Sequence, residues 1–201
     1  MELLTDMQER VTRLFAWPEL LSGGDELLAR AGELSDESVM LALSEAAALA
    51  NDAARLQTVL AGVLARRSAR DLGHNGLSAT HGHASPASLI QSITGGSKAD
   101  AVRQVRVGTS LFDESGPRPS AAPTAGDASD LATPPAAAWH EPLRRALLEG
   151  TLKTEQQDAI RRGLGEPVDA RAWIIAAEQL IDEAPTMPVE ERGKRARCMR
   201  A

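Results

Sequence analysis

The 201-residue chain has no tyrosine, two phenylalanines and three tryptophans, so aromatics make up only 2% of it. Sheet cores recruit aromatic and β-branched residues, whereas helices pack closely through small side chains. This scarcity points to a core of Leu, Ile, Val and Ala built from helices. A single cysteine, Cys198, excludes an internal disulfide framework and any cysteine-rich zinc finger, and suits a reducing compartment. No segment approaches the roughly 20 consecutive apolar residues of a membrane span. The opening "MELLTDMQERVTRLFAW" puts Glu2 and Asp6 where a secretory leader carries positive charge, so a soluble cytoplasmic protein is expected. An excess of basic charge is missing too. With 22 Lys and Arg against 28 Asp and Glu, the net charge of −6 excludes a protein that coats nucleic acid non-specifically, but leaves room for a local basic patch.

What is present is helical periodicity. Leu4, Met7, Val11 and Leu14 recur at spacings of three and four, the stripe of an amphipathic helix that Pro18 and Ser22–Gly24 end. Asp25 is placed to cap a short helix that stops at Gly32. Ser35 then opens the longest periodic segment, with Asp36 and Glu37 in the first turn, where the helix dipole favours acids. Val39, Leu43, Ala46, Ala50, Ala53, Leu60 and Val63 hold one face of it, and Arg66, Arg67 and Arg70 crowd its far end. Such an Ala-rich helix packs closely on a neighbour, either within the chain or in a second copy. Ser85-Pro86 starts a short helix, Gly95 and Gly96 turn the chain, and Ser97 caps a further helix with an apolar face of Ala101, Val105 and Leu111, with Val102 at its edge. Residues 113–138, dominated by Pro, Ala, Gly and Ser, have no period and are expected to be a flexible linker or a long disordered loop. Beyond it, "AWHEPLRRALLEG", "TEQQDAIRRGLG" with Thr154 and Gln157 at capping-box spacing, and "DARAWIIAAEQLIDEAP" read as three more helices.

The expected fold class is therefore all-α, a multi-helix bundle with one long Ala-rich helix and a helix–turn–helix-like hairpin. Its expected organisation is N-terminal helices over 1–33, the long helix and hairpin over 34–112, the linker, C-terminal helices over 139–186 packed on the same bundle, and a basic tail over 187–201.

Three constellations carry possible chemistry. His74, His81 and His83 share a Gly-rich loop, but zinc needs three or four converging ligands on rigid elements, and the nearest carboxylate is Asp71. No metal site is expected. No nucleophile elbow is present, "HEPLR" at His140 lacks the second histidine of a zinc-protease helix, and Gly95-Gly96 is too short to cradle phosphate. No catalytic residue, cofactor or small-molecule substrate is expected. The third is the Pro86–Leu111 hairpin, whose second helix begins with polar and basic residues suited to a DNA groove. Lys98, Arg103, Gln104 and Arg106 are the candidate contacts, Ser97 and Thr94 are available to phosphates, and Arg66, Arg67 and Arg70 would enlarge the patch. Set against this, helical hairpins are ordinary packing units and the whole chain is acidic.

The segment "ARRSARDLGHNGLSATHGHASPASLIQSITGGSKADAVRQVRVGTSL", followed after the Pro/Ala stretch by "WHEPLRRALLEGTLKTEQQDAIRRGLGEP" and "AWIIAAEQLIDEA", resembles the actinobacterial family called domain of unknown function 222. The resemblance runs from about Leu34 to Ala184 and rests on the order and spacing of several segments. It implies a helical region accompanying an HNH nuclease domain, in a DNA-processing context. The nuclease residues cannot be carried over, because no segment here supplies the histidine pair, the asparagine or the paired cysteines of such a site. The ending departs from the family: after "PTMPVEE" another amphipathic helix is expected, yet "RGKRARCMRA" turns basic, carries Gly193 and stops. A truncated gene, a frameshifted remnant or a fragment is the expectation there. The resulting functional expectation is a non-catalytic module that binds or positions double-stranded DNA. The alternatives are a self-association or protein-interaction module whose basic face is merely solvated, and an enzyme acting with a separate nuclease subunit. No membrane contact is expected.

Overall fold

The computed structural model describes residues 3–112, 139–184 and 187–199, which are all-helical, with no strand among them. The linker expected over 113–138 lies outside the described residues. The chain divides into two compact units, Met1–Leu56 and Gln57–Ala201.

The first unit holds α1 (Leu3–Leu14), a 3-10 turn (Pro18–Leu21), α2 (Asp25–Ala31) and the first part of α3 (Asp36–Arg67). Ser35 caps α3 as its sequence requires, its hydroxyl accepting from the Ser38 amide at 3.2 Å. Asp25 is not a cap but the first helical residue; Gly24, at φ 61°, occupies the cap position. No residue of α1 or α2 is buried. α1 meets α3 through ion pairs: Arg10 donates to Asp52 at 2.8 Å, and Arg13 reaches Glu45 at 3.0 Å. Arg55 completes the group, donating to Asp52 at 3.0 Å.

The face of α3 that turns inward is not the one its apolar spacing suggested. Ala42, Asp52, Arg55, Thr58, Ala61 and Gly62 are buried, whereas Val39, Leu43, Ala46, Ala50 and Leu60 are exposed. Two of the inward polar residues have partners distant in sequence, Arg10 for Asp52 and Thr154 for Thr58 (2.8 Å). Local periodicity carries no trace of such partners.

In the second unit, residues 70–84 are more ordered than a loop. They form a 3-10 turn (Arg70–Asn75), kinked at Gly73, and a single helical turn, α4 (Leu77–Thr80). Then come α5 (Pro86–Thr94), α6 (Lys98–Leu111), α7 (Glu141–Glu149), α8 (Thr154–Leu164), α9 (Ala170–Asp182) and α10 (Val189–Cys198). The caps of α5 and α6 are as expected: Ser85 accepts from the Ser88 amide, Ser97 accepts from the Asp100 amide, and Gly95 closes α5 in the left-handed region at φ 65°. The α8 box sits one residue earlier than expected. Gln156 accepts from the Lys153 amide at 2.9 Å, while Thr154 turns inward to Thr58.

The main core gathers Leu143, Ile160, Leu164, Trp173, Ala177 and Leu180 from α7, α8 and α9, with Leu152 from the connection between α7 and α8. A second cluster joins Val107 and Leu111 of α6 to Leu147 of α7, with Val59 of α3 against it. The C-terminal helices thus pack on the hairpin and on the end of α3. Two helix crossings bring backbones into contact. A Cβ on Gly62 would lie 2.3 Å from the Gly108 carbonyl oxygen, and one on Gly163 would lie 2.3 Å from Cβ of Ala196. Val189–Cys198, expected as a basic tail, is a helix that packs on α8 at this second crossing. Ala196 and Arg192 are fully buried, and the Arg192 guanidinium donates to the carbonyls of Ala184 and Met187.

Candidate functional site

The hairpin was expected to present a basic face to DNA, and its turn and caps form as that expectation requires. Three of its four candidate side chains are engaged with other residues. Arg106 makes a two-point contact with Asp158 of α8, Nε and Nη2 each donating at 2.7 Å. The Asp158 side chain is only 8% exposed, while that of Arg106 is 42% exposed, so the pair caps a buried carboxylate. Arg103 donates to Asp100 at 2.8 Å and lies 3.6 Å from Glu155. Gln104 donates to Gln57 of α3 at 3.4 Å. Lys98 is exposed and makes no ion pair with any described residue.

The Ser97 hydroxyl, expected to be available to phosphate, instead bonds the Asp100 carboxylate at 2.6 Å. That bond, aided by the charge of Arg103, holds the Asp100 carboxyl below the ordinary aspartate value. The Thr94 hydroxyl donates to the Ile90 carbonyl at 2.9 Å. The face therefore carries Lys98, Arg103 and Arg106 beside Asp100, Glu155 and Asp158, three charges of each sign.

At the far end of α3, Arg66 and Arg67 are exposed, with the Arg66 guanidinium 5.2 Å from the centre of the Phe112 ring. Arg70 begins the 3-10 turn, and its side chain lies outside the described residues.

The histidines do not converge. His74 and His81 are exposed, and His83 shares a 3.2 Å hydrogen bond with the Ser88 hydroxyl at the start of α5. Among the described residues no three His, Cys, Asp or Glu side chains are grouped to hold a metal ion. His140 is buried, its ring edge-on to Trp139 at 5.4 Å. A cavity of about 250 Å³ opens beside Trp173, lined by Leu164, Pro167, Ala176 and Met199. No described helix is long and apolar enough to cross a membrane.

Local spacing places the basic side chains on α6 but does not show their partners. Asp158 and Glu155 lie 52 residues beyond Arg106 and Arg103, on a helix whose position no local spacing encodes. The other feature is the outward stripe of α3. Val39, Leu43 and Leu60 are 43%, 62% and 57% exposed, on a helix of 32 residues. No known family model, curated protein or solved structure matches the chain.

Proposed function

We propose that this chain is a helical protein-interaction module that takes up another helix along the outward stripe of α3. The observation that carries the reading is the exposure of Val39, Leu43, Ala46, Ala50 and Leu60 at heptad-like spacing on one helix. Apolar stripes of this kind mark association sites, because leaving them in water forgoes their burial. The arrangement of α6 supports the same choice. For Arg106 to grip a phosphate it would have to leave Asp158, stranding a nearly buried carboxylate. Three cations beside three carboxylates also offer little net counterion release, the term that dominates DNA affinity.

A DNA-positioning role has one observation in its favour: Lys98, Arg66 and Arg67 are exposed and form no ion pair with a described carboxylate. The family resemblance fits either role, since a helical region accompanying a nuclease can join protein parts or orient them on DNA.

Titration of a short duplex at two salt concentrations separates the readings. The interaction module is expected to show no salt-dependent affinity. Duplex binding whose salt slope falls by about one for each of Lys98, Arg66 and Arg67 replaced by alanine would overturn it.

A further inference from the structure

The middle of the α3 stripe is nearly symmetric. About a point between Asn51 and Asp52, Ala50 mirrors Ala53, Ala46 mirrors Gln57 and Leu43 mirrors Leu60. The same point carries Asp36 and Glu37, in the first turn, onto Arg67 and Arg66 in the last. All of these residues are exposed except Ala53, which is half-buried.

We propose that the occupant of the stripe is α3 of a second copy, laid antiparallel about a two-fold axis at the height of Asn51 and Asp52. This rests on the reading of α3 as an association helix and adds the partner, direction and register. Charge selects the direction. Antiparallel pairing brings Asp36, at the edge of the stripe, to the height of the partner's Arg67, at both ends of the seam. Parallel pairing would set like charges beside each other at each end and align the helix dipoles.

The side chains fit the same arrangement. Alanines at the centre let the two backbones approach closely, and a Leu43–Leu60 contact closes the seam on either side of them. Gln57, opposite Ala46, is the one polar position between the leucines. A polar group at a single seam position penalises shifted registers, because a shift would place it against leucine. The contact uses the same patch of both copies, so it closes as a dimer and does not propagate.

The test uses the full chain with Cys198→Ser, since the native thiol is exposed. Sedimentation is expected to show a dimer that Leu43→Glu or Leu60→Glu dissociates without loss of helical signal, both sites being on the surface. Arg67→Glu is expected to weaken the dimer about five-fold, and adding Asp36→Lys to restore it. Under mild oxidation a mixture of the Leu43→Cys and Leu60→Cys chains should form a crosslinked heterodimer, while neither chain crosslinks to itself. A dimer in which Leu43→Cys crosslinks to itself would overturn the antiparallel inference and leave the interaction reading standing. A monomer at every concentration also overturns the inference, and maleimide then decides the reading beneath it. A Leu43→Cys thiol that reacts as fast as a free one keeps the stripe open for another partner; a protected thiol overturns both.

Discussion

The crossing of α8 and α10 yields a pair of substitutions with opposite signs. Gly163→Ala would put a Cβ 2.3 Å from Cβ of Ala196, 3.1 Å from the Gly193 carbonyl oxygen and 3.3 Å from the Arg197 amide nitrogen. Carbon atoms in contact sit about 3.5–4.0 Å apart, so the helices must separate by over about 1 Å. Two of the three obstacles are backbone and the third is a Cβ, so no side-chain rotation relieves the clash. Overpacking of this kind costs about 1–3 kcal/mol, and more when backbone must move, whereas alanine's helix propensity returns only about 1 kcal/mol. The displaced helix carries fully buried Ala196 and Arg192, so a net loss of about 1–3 kcal/mol is expected. Gly193→Ala, on the facing helix, meets nothing closer than Cβ of Ala159 at 3.9 Å. It should gain about 0.5–1 kcal/mol from propensity alone. Urea unfolding followed by circular dichroism measures both, and hydrogen exchange of the α10 amides locates the effect. If Gly163→Ala proved as stable as the parent chain, or Gly193→Ala destabilised it by as much as Gly163→Ala, the close crossing would not exist as described.

Further outcomes are expected in the second unit. Asp158→Ala should destabilise the fold by about 1–2 kcal/mol in thermal or urea unfolding, because it removes the two-point partner of Arg106. Trp173→Ala should cost about 3–5 kcal/mol by the same measure, since it empties the core and removes the 3.0 Å indole bond to the Gly165 carbonyl. The Asp100 carboxyl should titrate below the ordinary aspartate value in carbon-detected NMR, and Ser97→Ala should raise its midpoint. A group depressed on folding favours the native state above its unfolded pKa and loses that contribution as pH falls through the folded one. The Ser97–Asp100 contribution is therefore expected to vanish only in strong acid and to be intact at neutral pH.

Much of the helical framework was legible in the residues because its signals are local. Ser85, Ser97, Ser35 and Gly95 act within four residues of themselves, and each does what its type predicts. The faces were less legible. On α3 the apolar spacing was real but pointed outward, because the inward face is polar and depends on Arg10 and Thr154. The basic residues of α6 were found for the same local reason, and their carboxylate partners were missed because α8 approaches from 52 residues away. In α10 the charges and Gly193 read as the end of structure. They are consistent with a helix once Gly163 is opposite, since the missing side chain on α8 makes room for Ala196.

The hydroxyl pair Thr58–Thr154 has a consequence for how the chain assembles. It joins residues 96 positions apart, whereas the α5–α6 hairpin closes over three residues between its helices. Local helical contacts form on the microsecond scale, and distant ones wait on the search for chain ends to meet. The hairpin is expected to gain protection first in pulse-labelling hydrogen exchange, and the amides around Thr58 and Thr154 last. Early protection at those threonines would mean that long-range docking guides the hairpin. On the expected order, α3 stays unanchored to α8 until the end, and its outward stripe is available to another chain before the fold is complete.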